Sequence, residues 1–450
     1  MDDIKKIIDE ALKLVVPAEE ERIKARKAED ELKKRLDDVL KDYPGLEYRF
    51  LGSYARDTWL KGNLEIDVFI LFPEETSLED LERIGIEIGK SVVDRYEFRF
   101  ASHPYVHGTV LDVEVDIVPC YKLKSAERIK SAVDRTPFHH DWLKDRIKGK
   151  ENDVRLLKKF LKCAGIYGAE YKIRGFSGYL CELLIIFYGS FLNLIRNAIE
   201  WTRNTVIDVL NNRVYRKKGY GFFVVDPVDP KRNVAANLSI DNLARFVERC
   251  RRFLEDPSIS FFIEREVRAP DEEYIRNEIE FRRTGLYLIR FRRPKDVVED
   301  NLYPQLEKAT RRIEEFLKSH DFMPIRSHYF ADADRCYIVI ETCVRELSRI
   351  RRHMGPPFED GINVKKFLSK DRRYGHFIEN GRYWTLVERK FTRPDEAIEW
   401  VIKNEWKSLG KNVGESLRDY YEILKGVEVL KIDDEEFRKN LVEFLCLLDM

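Results

Sequence analysis

The sequence has no excess charge of either sign: 81 Lys and Arg residues meet 81 Asp and Glu. Composition therefore argues neither for nor against a nucleic-acid partner, and any RNA would have to be held by local basic patches offset by acidic surface elsewhere. Cysteine is sparse and scattered. The seven (Cys120, Cys163, Cys181, Cys250, Cys336, Cys343 and Cys446) are odd in number and never spaced CxxC, which argues against a disulfide framework or a structural zinc site and fits a reducing cytoplasm. The longest apolar run, around Leu183 to Tyr188, is too short to span a bilayer. The opening MDDIKKIIDEALKLVV is an amphipathic helix pattern with acids at its front, not a secretory signal. No internal repeat, low-complexity segment or aromatic RNP-type motif is present, so base stacking on a sheet is not indicated. These absences predict a cytoplasmic protein with no membrane partner.

What is present is a globular composition, 44% hydrophobic and 36% charged, over 450 residues, enough for two to four domains. The stretch the chain is built around is LGSYARDTWLKGNLEIDVFILF, Leu51 to Phe72. Gly52 ends an alternating strand (Leu46, Tyr48, Phe50), and Ser53 opens a helix turn whose free backbone N–H groups suit a phosphate. From Leu64 the pattern alternates, placing Glu65 and Asp67 on one face of a strand and Ile66, Val68, Ile70 and Phe72 on the other. Two carboxylates that close repel each other, and a divalent cation relieves the repulsion. Oxygen-only ligands suit Mg2+ or Mn2+. An isolated ExD would read as the exposed face of an edge strand, but a phosphate cradle feeding a carboxylate pair is what phosphoryl transfer needs.

Around that stretch, Ile4, Ile7, Ile8, Ala11 and Leu12 mark a first helix, and a second spans about Pro17 to Lys41 with Ile23, Ala28, Leu32, Leu36 and Val39 inward. Ser77 caps a helix reaching about Val93, and three strands follow: Tyr96–Phe100, Tyr105–Val110 and Leu111–Val118. This predicts an α+β domain with a mostly antiparallel sheet, ending near residue 137. On the last strand Asp112, Glu114 and Asp116 share a face, and spacing does not choose among them as a third ligand. From Thr136 the chain turns helical. Val154, Leu157, Leu161 and Ala164 form an inner stripe, and Arg155, Lys158, Lys159 and Lys162 a basic one that by itself reads as a solvated face. NNRVYRKKGYGFF reads as a loop. A helix covers about Ser239–Leu254, and Pro257 and Pro270 bracket a boundary. Beyond it come strand Leu286–Arg292, helix Tyr303–Lys318, strands Met323–Phe330, Tyr337–Cys343 and Tyr383–Lys390, and helix Pro394–Trp406.

GSYARDTWLKGNLEIDVF resembles the nucleotidyltransferase superfamily that includes DNA polymerase β and, within it, the archaeal class I CCA-adding enzymes, the tRNA nucleotidyltransferases. Glu65 stands where many superfamily members carry Asp, and this agrees with the archaeal subgroup. The resemblance implies a polymerase β-like catalytic head (1–137), a helical, nucleotide-binding neck (138–257) and a ferredoxin-like α+β body and tail that binds tRNA (258–450). Through VEVDIVPCYKL it selects Asp116 as the third acid, so that Glu65, Asp67 and Asp116 hold two Mg2+ ions, with Mn2+ as substitute. Through TPFHHDWLK, LLKKFLK, GIYGAEYKIRGFSGYLCELL and DPVDPKRNVAANLS it implies that His139, Lys158 and Tyr167 bind the incoming CTP or ATP and that Arg232 contacts its base. Gly52 and Ser53 would cradle the triphosphate, with Arg56 orienting it.

Basic groups gather in RELSRIRRHMGPPF and in Gly410-Lys411-Asn412. Of these, Arg349, Arg351, Arg352, Lys411 and Asn412 are taken as tRNA contacts over the alternative of an ordinary exposed face. The implied activity is template-independent addition or repair of the 3′-terminal CCA of tRNA with release of pyrophosphate, and the reading allows for a homodimer. The competing reading is an ATP-specific transferase such as a poly(A) polymerase or an oligoadenylate synthetase.

Overall fold

A computed structural model describes residues 2–100, 103–264 and 270–447, and the chain divides into two compact units, Met1–Arg265 and Glu266–Met450. The boundary bracketed by Pro257 and Pro270 contains residues 265–269, which lie outside the described residues.

In the first unit α1 (Asp2–Val15) and α2 (Glu19–Val39) are separated at Pro17, and the Glu21 carboxylate caps the second by accepting the Ala18 N–H at 2.8 Å. The inner face of α2 is Ala25, Ala28, Leu32 and Leu36. Ile23, expected inward, is exposed because it lies two residues before Ala25 and so about 200° round the helix from it. Next come β1 (Glu47–Leu51), α3 (Gly52–Ala55), β2 (Glu65–Phe72), α4 (Leu78–Val92), β3 (Arg95–Phe100), β4 (Pro104–Val110) and β5 (Val113–Tyr121). Ser77 caps α4 as its side chain predicts, accepting from the Asp80 N–H. The sheet order is β1-β2-β5-β4-β3, with β2 and β5 parallel and every other pair antiparallel.

Leu111 and Asp112, expected in the last strand, form the β4–β5 hairpin turn instead. Both have positive φ (50° and 58°), the conformation a two-residue hairpin requires. Asp112 thereby leaves the strand face it was expected to share with Glu114 and Asp116.

Alternation divides the sheet's two faces. Ile66, Val68, Ile70, Phe72, Val115 and Ile117 pack with Leu32 and Leu36 of α2 and Leu81, Ile88 and Val92 of α4 in one core. The other face carries Glu65, Asp67 and Asp116, with a small apolar cluster of Leu51, Phe69, Leu71, Val118 and Cys120 beside them.

The rest of this unit is α5 (Thr136–Leu143), α6 (Glu151–Lys162), α7 (Gly178–Tyr188), α8 (Phe191–Ala198), β6 (Thr205–Asp208), β7 (Arg213–Arg216), β8 (Phe223–Val224) and α9 (Ile240–Glu255). NNRVYRKKGYGFF is not all loop. β7 pairs antiparallel with β6, and β8 pairs parallel with it. The Asp208 carboxylate holds the intervening turn through the Asn211 N–H and Arg213. Ala11 and Val15 of α1 pack into the helical core, as does Leu60 from the loop before β2. Among the described residues no single helix is long and apolar enough to cross a membrane; α7 and α8 meet at 92°.

The second unit contains α10 (Glu272–Arg282), β9 (Gly285–Arg292), α11 (Glu299–Ser319), β10 (Pro324–Ala331), β11 (Arg335–Thr342), β12 (Ile350–Pro357), α12 (Gly361–Leu368), β13 (His376–Glu379), β14 (Arg382–Glu388), α13 (Pro394–Glu405), α14 (Lys411–Asp419), β15 (Tyr421–Lys425) and α15 (Glu435–Phe444). The antiparallel order β10-β11-β9-β15, with α11 after β9 and α13–α14 before β15, is a ferredoxin-like β-α-β-β-α-β arrangement. A second sheet, β12-β14-β13, is inserted between β11 and α13.

Phe160 sits at the centre of the helical core, with the rings of Phe191, Phe253 and Phe262 5.5–5.7 Å away. Phe160→Ala is expected to destabilise the first unit by ~3–5 kcal/mol. Chemical denaturation followed by circular dichroism should show its transition moving to lower denaturant.

Candidate active site

Strand register assembles the site. Leu51, Asp67, Asp116, His107 and Glu97 are successive Cα partners across all five strands, so Asp67, Asp116 and His107 line one row on the face opposite α2 and α4. Glu65 occupies the neighbouring row, across from Glu114, which is exposed. His107 Nδ1 lies 2.6 Å from Asp116 Oδ1 and 3.7 Å from Glu65 Oε1. One ligand atom each from Glu65, His107 and Asp116 falls within 4.8 Å of the others. Arg99 Nη1 approaches Glu65 at 3.9 Å.

Asp67 lies instead against Gly52. A Cβ added at Gly52 would stand 1.7 Å from Asp67 Oδ2, and Gly52 has φ +68°, so a side chain there would be both clashing and strained. The turn after β1 thus does more than present N–H groups: its missing side chain is the space the carboxylate occupies.

Burial raises all three carboxyl groups, and repulsion between neighbouring carboxylates adds to it for Asp67 and Glu65. Burial dominates for Asp67, with the charges of Glu65 and Asp116 adding to it and Arg56 and Lys158 opposing, and the result is about 7. Glu65 is raised by burial and then by Asp116. Asp116 is raised by burial against the pull of its His107 hydrogen bond. Three acids driven toward protonation at one point are a donor set that a divalent cation fits, since a cation supplies the missing positive charge.

The cationic candidates are also placed. Arg56 forms an ion pair with Glu182 (Nη2–Oε2 3.0 Å), both side chains almost wholly buried. Thr58 Oγ1 donates to the same carboxylate at 2.7 Å, and Lys158 Nζ donates to the Thr58 carbonyl at 2.9 Å. The basic stripe of α6 is therefore no uniform solvated face. Arg155 is buried too, donating to the Trp59 carbonyl at 2.9 Å and pairing with Asp57. Burial lowers the Lys158 ammonium below its usual range, with Glu182 opposing. Gly178 lies beside both Lys158 and Tyr167, where an added Cβ would stand 3.3 Å from the Tyr167 hydroxyl. Ser53 is half-buried in α3, its carbonyl accepting the Thr58 N–H.

His139 and Arg232 form a second group around Asp226. His139 Nε2 is 3.0 Å and Arg232 Nη1 2.8 Å from Asp226 Oδ2, and the His139 ring stacks on Tyr179 at 3.9 Å. His140, next in sequence, lies 3.4 Å from Arg56 Nη1, and burial with the Arg56 charge takes it down to about 4.

In the second unit, Arg349 precedes β12 and Arg351 and Arg352 lie on it, all three exposed; Arg352 pairs with Glu379 and covers the Trp384 ring at 4.3 Å. Lys411 is exposed at the start of α14, while the Asn412 side chain is engaged by Gln305 at 3.1 Å. The two sets occupy different elements.

Among the residues that escaped the sequence reading are His107 and Arg99, beside the acids, and Asp226, which joins His139 and Arg232. His107 was detectable only as a polar residue between the apolar positions Val106 and Val110. Asp226 was hidden by the turn-like DPVDP.

Comparison with known proteins agrees along the length of the chain. Residues 15–139 match a nucleotidyltransferase domain, 152–263 the second domain of tRNA nucleotidyltransferase, and 282–426 the C-terminal domain of CCA-adding enzyme. A CCA-adding enzyme of Archaeoglobus fulgidus is 59% identical over 99% of this chain and 100% of its own. One of Methanosarcina barkeri is 39% identical over 96% and 97%, and one of Methanocaldococcus jannaschii 40% over 90% and 92%.

The raised Asp67 carboxyl makes stability pH-dependent. An unfolded aspartate titrates near 4, so between about 4 and 7 the folded, metal-free chain binds more protons at Asp67 than the unfolded one. The resulting stabilisation is present in full below about 4 and is lost as pH rises through about 7. Asp67→Asn should flatten this fall, melting higher than the wild type at pH 8 without metal, and should show less of the rise in melting temperature that added divalent cation is expected to give the wild type. His107→Ala, which frees Asp116 to turn, is expected to raise the Mg2+ concentration for half-maximal activity ~10–100-fold, read by metal titration.

Proposed function

The chain belongs to the archaeal CCA-adding enzymes, tRNA nucleotidyltransferases with a polymerase β-like head, and from that premise we propose how its own residues carry the reaction. It completes the CCA end of tRNA by nucleotidyl transfer. The observation that most supports the assignment of residues is the parallel register that sets Asp67 opposite Asp116, with Glu65 in the adjoining row.

Glu65, Asp67 and Asp116 hold a pair of Mg2+ ions, for which Mn2+ can substitute. Bound there, the metal makes the 3′-hydroxyl of tRNA more acidic and offsets the charge that develops on departing pyrophosphate. His107 bonds Asp116 Oδ1 and so fixes the direction in which this carboxylate faces the site. Gly52 keeps the space Asp67 needs, and Ser53 on the same turn faces the triphosphate. Lys158 and Tyr167 supply an ammonium and a hydroxyl to phosphate and ribose oxygens. Arg56, fixed by Glu182, contributes positive charge beside Asp67 and holds the loop after α3. The 3′-hydroxyl attacks the α-phosphorus of CTP, then of ATP. A phosphodiester bond forms as the bond to pyrophosphate breaks. His139 and Arg232 face the nucleoside end.

The head (1–137) and neck (138–257) form this site, and the body and tail (258–450) hold the tRNA. Between residues 345 and 390 there are twelve Lys and Arg against six Asp and Glu, so a chain neutral overall concentrates positive charge in the inserted sheet. That supports Arg349, Arg351 and Arg352 as contacts to the RNA backbone. Lys411 offers an independent contact. Asn412, already engaged by Gln305, contributes by fixing the start of α14.

The test supplies Mg2+ and tRNAs ending before CCA, after C and after CC, with CTP, ATP, UTP or GTP given singly. Addition of C, C and then A, with no further growth, is the expected result. Tailing with ATP alone would place the chain with the poly(A)-type transferases. Asp67→Ala should reduce incorporation more than about a hundredfold, and full activity in that variant would remove the metal-site assignment.

A further inference from the structure

Asp226 is fully buried just beyond β8, and the sequence offers no reason to expect a charge there. Its carboxylate accepts four hydrogen bonds from four different residues. Oδ2 takes His139 Nε2 at 3.0 Å and Arg232 Nη1 at 2.8 Å, and Oδ1 takes the Tyr179 hydroxyl at 3.0 Å and the Val228 N–H at 3.0 Å. His139 comes from α5, Tyr179 from the first turn of α7 and Arg232 from the strap after β8, so this carboxylate joins three separate elements. Arg135 adds a second tie to the strap through Asp229 at 3.2 Å.

Burial by itself would raise the Asp226 carboxyl, yet the His139 and Arg232 bonds hold it down at about 2, so it is ionised and can only accept. Burial lowers His139, against the pull of Asp226, so near neutral pH its ring carries one proton. That proton has to sit on Nε2, because a carboxylate cannot donate to it. Nδ1 is then an acceptor. Arg232, meanwhile, has one N–H committed to Asp226 and its remaining N–H groups held in a fixed direction.

We propose that Asp226 is the positioning residue of the nucleoside end of the pocket, fixing His139 as a ring with an acceptor at Nδ1 and Arg232 as a donor of set direction. The consequence is discrimination. Cytosine and adenine both present an amino donor beside a ring-nitrogen acceptor, whereas uracil and guanine present a carbonyl beside a ring N–H. A site with fixed donor and acceptor polarity separates the two pairs, and one whose polarity can turn over does not. The inference rests on the transferase reading above.

Asp226→Asn keeps the shape but gives the group a donor face, so it can hold His139 in either tautomer and no longer neutralises Arg232. The expected result is a fall of about tenfold or more in the preference for CTP over UTP and for ATP over GTP, measured as ratios of kcat/KM. Asp226→Glu, which restores the charge, should recover part of the ratio. If Asp226→Asn melts lower but keeps the wild-type ratios, the residue is only structural and the inference fails. Should neither variant fold, 15N spectra of the wild type's eight histidines, with His139 identified by a His139→Gln spectrum, decide it. An Nε2–H signal for His139 supports the inference and an Nδ1–H signal overturns it. Absence of any nucleotide addition by the wild type would instead defeat the transferase reading itself.

Discussion

Repulsion among three carboxylates on one sheet face is the constraint around which the first unit is arranged. Parallel pairing of β2 with β5 brings Asp67 opposite Asp116, and the period of the strand adds Glu65 on the same side. A sheet folded only for stability would not gather these charges, and its opposite face shows what it does otherwise, packing Ile and Val against α2 and α4. The surroundings compensate in part. His107 bonds to Asp116, Arg99 approaches Glu65, Asp67 fills the space left by Gly52, and Arg56 and Lys158 lend positive charge. Compensation stops short of neutralising the site, which is what leaves it able to take a cation.

The helical part of that unit solves the converse problem, how to keep cations where water is scarce. Arg56, Lys158 and Arg155 are all buried, and each is held by a specific acceptor: the Glu182 carboxylate, the Thr58 carbonyl, and the Trp59 carbonyl with Asp57. Three of these acceptors belong to the segment 57–59 between α3 and β2, so the loop leading into the catalytic strand is pinned by the same groups that electrify the pocket. Removing one member of such a pair exposes the other to the full cost of an unpaired buried charge. The two functions, positioning the loop and presenting charge, are therefore inseparable here.

The second unit handles charge differently. Its ferredoxin-like sheet has the ordinary apolar core, and the excess of positive charge is confined to the inserted segment around β12, β13 and β14, where it is largely exposed. Exposed cations cost little to maintain and attract a polyanion over distance. The balanced composition of the whole chain conceals this segregation.

Much of the design was legible along the chain. Period-2 alternation after Gly-Ser marked β2 and put Glu65 and Asp67 on one face, Ser77 announced α4, and the length and order of the apolar runs gave the α+β head and several strands and helices of the second unit, because these features depend on neighbours a few residues apart; the ferredoxin-like arrangement of those elements came only from the family resemblance. The strand limits at Leu111, the strands β7 and β8 and the placing of Ile23 on the inward face of α2 were misread where turn geometry or helix phase outweighed local composition. The pairing of Asp116 rather than Glu114 with Asp67, the burial of Arg155 and Lys158 and the meeting of His139, Arg232 and Tyr179 on Asp226 became visible only in the tertiary structure. Each depends on the register between strands or on the docking of elements up to about a hundred residues apart. Sequence determined which chemical groups the protein has and the faces on which many of them lie; the fold decided which of them share a site, since charges interact through space and not along the chain.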